Sequence, residues 1–107
     1  MRNILVAALL VASPLVAHAA RLDGNALQAR CSTGDVKSCQ IYLEGFNAAL
    51  SEFPDGPSRP ACVPEGVTGS QMRDVVLKLL HEEPQNRERP AARLIMRAFA
   101  KAWPCHK

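Results

Sequence analysis

The stretch "CVPEGVT", residues 62–68, decides the fold because it places a cysteine shortly before a strong helix start. Thr68 and Gln71 have the spacing of a capping box, in which each side chain accepts from the other residue's backbone N–H. The apolar residues that follow recur at three- and four-residue steps, which is helical periodicity: Met72, Val75, Val76, Leu79 and Leu80. We expect this helix to end near Glu83, because Pro84 cannot continue it.

A last helix is predicted to begin near Pro90, a residue suited to a first helical turn. Its apolar stripe is predicted to comprise Ala92, Ile95, Met96, Phe99, Ala102 and Trp103, and Pro104 ends it. A short connection makes two such helices antiparallel neighbours, so Cys105 would return to the beginning of the first, beside Cys62. We therefore expect a Cys62–Cys105 bond and a local Cys31–Cys39 bond, while the sequence leaves the other two connectivities open.

The segment "FPDGPSRPACVPEG", residues 53–66, holds four prolines and two glycines and separates this hairpin from an earlier half. In that half Asp23 or Asn25 can cap a short helix that runs to about Cys31. The sequence "STGD", residues 32–35, follows as a turn.

Asp35 is predicted to cap a second helix that continues to residue 53. Its apolar positions have helical spacing: Cys39, Tyr42, Leu43, Phe46, Leu50 and Phe53. Gly45 either permits close approach of another helix or is a tolerated defect that costs about 1 kcal/mol relative to alanine. No segment of useful length alternates as a strand would. The expected fold is all-α, a small disulfide-stabilised helical bundle of three to four helices.

The N-terminus, "MRNILVAALLVASPLVAHAA", combines an arginine, an apolar run and the small-residue pattern of a signal-peptide cleavage site. We expect residues 1–19 to be removed as a signal peptide, with an uncleaved anchor as the alternative. Residues 20–107 would then form a single domain. A core of this size usually needs reinforcement, and four cysteines in a short exported chain are typical of two disulfides.

Several classes of function are disfavoured by the sequence. The net charge of +3 and the few aromatic residues are not typical of a nucleic-acid binder. The cysteines lack zinc-ligand and CxxC spacing, and His81 and His106 are isolated. No serine-nucleophile motif or phosphate-binding glycine loop is present. We therefore expect no cofactor, no metal and no enzymatic activity.

Two surface features are candidates for protein binding. Arg89, Arg93, Arg97 and Lys101 recur every four residues and form one cationic row, either an ordinary solvated face or a contact strip for an acidic partner. The charged connection before the last helix is either a plain solvent loop or a loop that enters a partner's cleft. Together these features give a predicted partner-binding set: Glu82, Glu83, Pro84, Gln85, Asn86, Arg87, Glu88, Arg89, Arg93, Arg97 and Lys101.

The chain resembles the Rap/Tai family of periplasmic immunity proteins associated with type VI secretion. The resemblance rests on the pattern C-x7-C-x2-Y-x2-G that starts at Cys31, on "CVPEGVT", on the helix opening at Gln71 and on the closing "AFAKAWPC", residues 98–105. It implies a helical, disulfide-bonded periplasmic homodimer that binds and blocks a secreted peptidoglycan amidase. It also implies that a loop fills the effector's active-site groove, and by position this loop is residues 82–90.

Two other functions remain as alternatives. One is a periplasmic disulfide-bonded structural or chaperone-like stress protein, which should expose apolar surface on mild acidification. The other is an envelope-binding module that contacts anionic lipid through the cationic row. Neither needs a bound cofactor or stable membrane insertion.

Overall fold

Residues 22–105 are described by the computed structural model, and the predicted signal peptide and His106 lie outside them. Within this range the chain forms α1 (Gly24–Ser32), α2 (Val36–Leu50), α3 (Gly69–Glu82) and α4 (Ala91–Ala102), with a 3₁₀ turn at Pro84–Asn86. The one β-type pairing among these residues is an isolated bridge between Asp23 and Pro90. The predicted all-α bundle is therefore confirmed. None of the described helices has the length and apolarity needed to cross a membrane.

The first three helices start where side-chain chemistry predicts. Asp23 accepts from the Ala26 N–H at 2.8 Å, and Asp35 accepts from the Ser38 N–H at 3.1 Å. The capping box of α3 is complete, because the Thr68 N–H donates to the Gln71 side chain at 2.8 Å and the Gln71 N–H donates to the Thr68 hydroxyl at 3.2 Å. Each such cap stabilises its helix by about 1 kcal/mol.

The predicted end of α2 is wrong by three residues, since the helix ends at Leu50 and not at residue 53. The Ser51 hydroxyl turns back to donate to the Ala48 carbonyl at 2.7 Å. The residue before a proline is also disfavoured in helical conformation, and Pro54 places that restriction on Phe53. Phe53 consequently leaves the helical stripe and is 44% exposed.

The core forms around α3, which contacts the other three helices. Phe99 is fully buried at its centre and meets Phe46 and Trp103 edge-on, with ring centroids 6.0 and 5.5 Å away. The remaining buried apolar residues are Leu27, Cys31, Cys39, Leu43, Leu50, Ala61, Met72, Val76, Leu79, Leu80, Ala91, Leu94, Ile95 and Ala98.

The predicted apolar stripe of α4 is only partly correct. Leu94 and Ala98 are buried, whereas the predicted Ala92 and Ala102 are exposed. The buried face of α4 is rotated relative to the predicted stripe because α4 packs against both α1 and α3. Two neighbours cover a wider arc of the helix surface than one neighbour would. Tyr42 of α2 is also exposed, in contrast to its predicted place in the apolar stripe of that helix.

The structure contains both expected disulfides. Cys31–Cys39 joins the end of α1 to the beginning of α2, with Cα atoms 5.2 Å apart. Cys62–Cys105 closes the open end of the α3–α4 hairpin, with Cα atoms 4.9 Å apart. The Cys62 N–H also donates to the Trp103 carbonyl at 2.9 Å, so backbone and side chain hold this end together.

Close helix packing occurs at Gly24 and Gly69 and not at Gly45. A Cβ atom added at Gly24 would lie 2.5 Å from Leu94 Cδ1 and 2.8 Å from the Arg87 carbonyl oxygen. A Cβ atom at Gly69 would lie 2.5 Å from a carboxylate oxygen of Glu44. At Gly45, in contrast, the described part of the chain places nothing within 4 Å. Gly45 therefore does not serve packing between the described helices.

Candidate functional site

The connection between α3 and α4, residues 83–90, is tied to the start of α1. The Gly24 N–H donates to the Arg89 carbonyl at 3.1 Å, and the Asn25 N–H donates to the Arg87 carbonyl at 3.0 Å. These bonds use backbone donors of the first turn of α1 that have no partner inside their own helix. The connection is thus held at both of these points and has a defined shape before any partner arrives.

Three of its predicted partner-binding residues have structural roles. The Arg87 side chain donates through Nε to the Leu80 carbonyl at 2.7 Å, and it is half-buried. Asn86 Nδ2 donates to a carboxylate oxygen of Glu83 at 2.7 Å, and both of these residues are also half-buried. The exposed side chains of the connection are those of Pro84, Gln85, Glu88, Arg89 and Pro90.

Glu83 also holds Arg97 of α4 in place. Arg97 Nε donates to both carboxylate oxygens of Glu83, at 3.0 and 3.1 Å. The hydrogen bond from Arg97 lowers the pKa of Glu83, burial opposes that shift, and the bond from Asn86 adds to it. The bond to Arg97 therefore favours the ionised form of the carboxylate, and in that form it orients the guanidinium group.

A basic hollow lies beside this pair and joins the two surface candidates of the sequence. It has a volume of about 220 Å³ and is lined by Asn86, Arg89, Arg93, Leu94 and Arg97. Arg89 and Arg93 are exposed, and neither forms an ion pair within residues 22–105. The hollow is thus lined by three guanidinium groups, of which only that of Arg97 forms an ion pair among residues 22–105, with Glu83.

Lys101, the last member of the predicted cationic row, belongs to a different surface. Its Nζ lies 3.4 Å from a carboxylate oxygen of Glu82, and Lys78 Nζ lies 4.0 Å from the other oxygen. These three residues border a groove of about 220 Å³ between α3 and α4, with a floor of Val75, Leu79, Ala98 and Ala102. The row therefore divides between the basic hollow and this groove.

An apolar depression on α4 was not identified from the sequence. It has a volume of about 410 Å³ and is lined by Ala92, Arg93, Met96, Arg97 and Ala100. The sequence pattern assigns Ala92 and Met96 to the core stripe, and only the observed rotation of α4 shows that they line an outer surface. Arg93 and Arg97 border both this depression and the basic hollow.

A second apolar surface lies on the outside of α2 and is called the outer α2 face. Ile41 is 59% exposed and Tyr42 is 38% exposed, and Gly45 follows one turn later in open space. Exposed Phe53 follows just beyond the helix. The outer α2 face comprises Ile41, Tyr42 and Gly45, and exposed apolar side chains grouped in this way on a helix make it a candidate protein contact surface.

Three kinds of reactive group are relevant among the described side chains: cysteine thiols, clusters of metal ligands and histidine. All four cysteines are in disulfides, so none supplies a thiolate. Among residues 22–105 no three or more His, Cys, Asp or Glu side chains converge in a way that could hold a metal ion. His81 is exposed in the last turn of α3, where a cation interacts favourably with the helix terminus.

Comparison with known proteins identifies the chain. A family model described as "Rap1a immunity proteins" matches residues 23–105, which include all four cysteines, the α3–α4 connection and α4. No curated protein and no solved structure gives a significant match. Because the matched span covers most of the sequence, the chain belongs to the Rap1a immunity protein family.

Proposed function

We propose that this protein is a periplasmic immunity protein that binds a secreted peptidoglycan amidase of a type VI secretion system and occludes its active-site groove. Family membership makes it an immunity protein for a secreted effector. The amidase target follows from the resemblance described above. An enzyme that cuts peptidoglycan acts in the periplasm, so the protein that protects the producing cell has to be exported there.

The observation that carries this proposal is the anchored α3–α4 connection with the basic hollow beside it. The backbone bonds from Gly24 and Asn25 fix the connection, and the Glu83–Arg97 pair fixes one wall of the hollow. A preformed surface loses less conformational entropy on binding than a flexible one. Occlusion of a groove requires such a surface and no catalytic group, so we assign no enzymatic activity.

Two features support export to the periplasm. The N-terminal sequence has the pattern of a signal peptide, and the folded domain contains two disulfides. Disulfides form and persist in oxidising compartments such as the bacterial periplasm. We accordingly place the mature protein, residues 20–107, in that compartment.

We also propose that the protein is a homodimer whose two copies meet through the outer α2 face. The resemblance implies a dimer, and Ile41, Tyr42 and Gly45 provide an apolar helix face with room for a second backbone. Replacing Ile41 by Glu should give a monomer in sedimentation velocity at micromolar concentration. A wild-type protein that is itself monomeric under these conditions would contradict the dimer.

The same exposed face favours the alternative of a chaperone-like stress protein, since chaperones bind clients through apolar surface. The two functions differ in their response to acid. A chaperone activated by acid should bind a hydrophobic dye on mild acidification, whereas an immunity protein should bind one effector tightly at neutral pH.

The central experiment uses the disulfide-intact mature protein as bait to recover an amidase, which is then assayed on purified peptidoglycan. The wild-type protein should inhibit cleavage at equimolar amounts. Replacing both Gln85 and Glu88 by alanine changes exposed loop side chains without touching the anchoring residues, and it should weaken inhibition. Replacing Arg30 and Lys37, on the α1–α2 side of the domain, provides a control. Failure to recover an amidase, or recovery of one that is not inhibited, would refute the proposal.

A further inference from the structure

We infer that the partner inserts an acidic–apolar segment into the outer surface of α4. Its Asp or Glu side chain binds in the basic hollow, and a neighbouring apolar side chain packs into the depression formed by Ala92, Met96 and Ala100. This inference rests on the proposed function, because it names the chemistry by which the effector is recognised.

The basic hollow is suited to a carboxylate. Arg97 uses Nε for Glu83, and no hydrogen bond within the described residues uses its two terminal nitrogens. Arginine has five N–H donors in a planar arrangement, so four remain on Arg97. Arg89 and Arg93 add two further guanidinium groups that form no ion pair within residues 22–105. Charge-assisted, bidentate bonds to a carboxylate are the strongest interaction that such groups make.

The apolar part of the segment follows from the shared borders of the two surfaces. Arg93 and Arg97 line both the hollow and the depression, so one occupant can reach both. Side chains one helical turn apart lie about 5–6 Å from each other at Cβ. A partner that satisfies both surfaces therefore has its acidic and apolar side chains close together.

The charge pattern favours a protein segment over a lipid surface. Glu82 neutralises Lys101, and Glu83 neutralises Arg97. The exposed Glu88 adds a carboxylate beside the hollow that forms no ion pair among the described residues, so little of this surface is left to attract an anionic membrane. The whole chain carries a net charge of only +3. A single carboxylate in the hollow approaches the arginines without requiring the rest of the surface to be cationic.

The test selects peptides from a random dodecapeptide phage library on the disulfide-intact mature protein. Enriched sequences should carry Asp or Glu within one helical turn of Leu, Ile, Met or Phe. Titration calorimetry of a synthetic enriched peptide should show at least roughly tenfold weaker binding to the R89A/R93A variant, and similar weakening when the peptide's acid is replaced by its amide. The A92E variant places a carboxylate at the exposed edge of the depression and should also weaken binding. The R30A/K37A variant removes two cations on the α1–α2 side and should bind as the wild-type protein does.

Three results would overturn the inference. The first is enriched peptides without acidic residues, and the second is an equal loss of binding in the R89A/R93A and R30A/K37A variants. The third is binding of phosphatidylglycerol vesicles at the arginines in the absence of binding by acidic peptides. The amidase assay separates this inference from the proposed function. If the wild-type protein inhibits the amidase and R89A/R93A inhibits it equally well, the inference fails and the proposed function stands. If no amidase is inhibited, the proposed function fails whatever the peptides do.

Discussion

Removing the Cys62–Cys105 bond should cost the domain about 4 kcal/mol of stability. The two cysteines are 43 positions apart, and a closed loop of that length gives about 4 kcal/mol at 25 °C in the chain-entropy account. Cys31 and Cys39 are 8 positions apart, which gives about 2.5 kcal/mol by the same account. If entropy alone acted, the long loop would therefore matter more by about 1.5 kcal/mol.

Burial changes this order when the cysteines are replaced by alanine. Cys31 and Cys39 are 1% and 0% exposed, whereas Cys62 and Cys105 are half-buried. Each buried sulfur that is removed leaves a gap similar to that of a methylene group, at about 0.8 kcal/mol. The C31A/C39A variant should therefore lose about 4 kcal/mol as well, through a shorter loop and a damaged core together.

Urea unfolding followed by circular dichroism at neutral pH tests these values on each double variant, with the other bond intact. A domain of about 85 residues has a free energy of unfolding of roughly 4–13 kcal/mol, so either loss is a large fraction of it. A loss below about 1 kcal/mol for C62A/C105A would refute the loop-closure argument. A loss of no more than about 2.5 kcal/mol for C31A/C39A, the loop-closure value alone, would refute the added cost of removing the two buried sulfurs. Four free thiols in active protein recovered from the cell envelope would show that neither disulfide is needed and would refute both stability arguments.

Three further predictions concern single residues. Replacing Phe99 by alanine should destabilise the domain by about 3–5 kcal/mol in urea unfolding, because its ring is fully buried between two aromatic neighbours. Gly24→Ala should cost about 1–3 kcal/mol by forcing Arg87 to move, whereas Gly45→Ala, made in the monomeric I41E background, should stabilise by up to about 1 kcal/mol because its Cβ meets no described residue; equal effects would contradict this view of the packing. The pKa of Glu83 is lowered in the folded protein, chiefly by the hydrogen bond from Arg97, so its stabilisation is present above the ordinary value of 4.5 and is lost as pH falls through the lowered pKa. The E83Q variant should therefore show a weaker dependence of the urea midpoint on pH at and below pH 4.5. An unchanged profile would exclude the Glu83–Arg97 pair as the source of that dependence.

Local chemistry made much of the fold predictable. The caps Asp35 and Thr68 act within three residues of their own positions, so the sequence alone determines where α2 and α3 begin. The Cys62–Cys105 pairing follows from two helices of similar length with a short connection, and the structure confirms it. These features depend on neighbours in sequence or on one simple hairpin.

The remaining features depend on contacts between distant segments. The buried face of α4 is set by α1 and α3 together, so periodicity alone misplaced Ala92. Charge spacing put the arginines and Lys101 in one row, but the lengths and register of α3 and α4 decide that Glu83 meets Arg97 and that Glu82 meets Lys101. The role of Arg87 could not be read from the sequence, because its acceptor is a backbone carbonyl of Leu80.

The proposed binding surface depends on the packing of the α3–α4 connection against the start of α1. The Arg87 carbonyl accepts from the Asn25 N–H, and its oxygen would lie only 2.8 Å from a Cβ atom on Gly24. The Cys31–Cys39 bond ties the other end of α1 to α2. A disturbance at Gly24 must therefore shift the α3–α4 connection as well as reduce stability. If inhibition comes from a preformed surface, Gly24→Ala should weaken effector binding even at temperatures where the variant is fully folded. Gly45→Ala lies outside this chain of contacts, so in the monomeric I41E background it should bind the effector as I41E alone does, which separates loss of shape from general changes in stability.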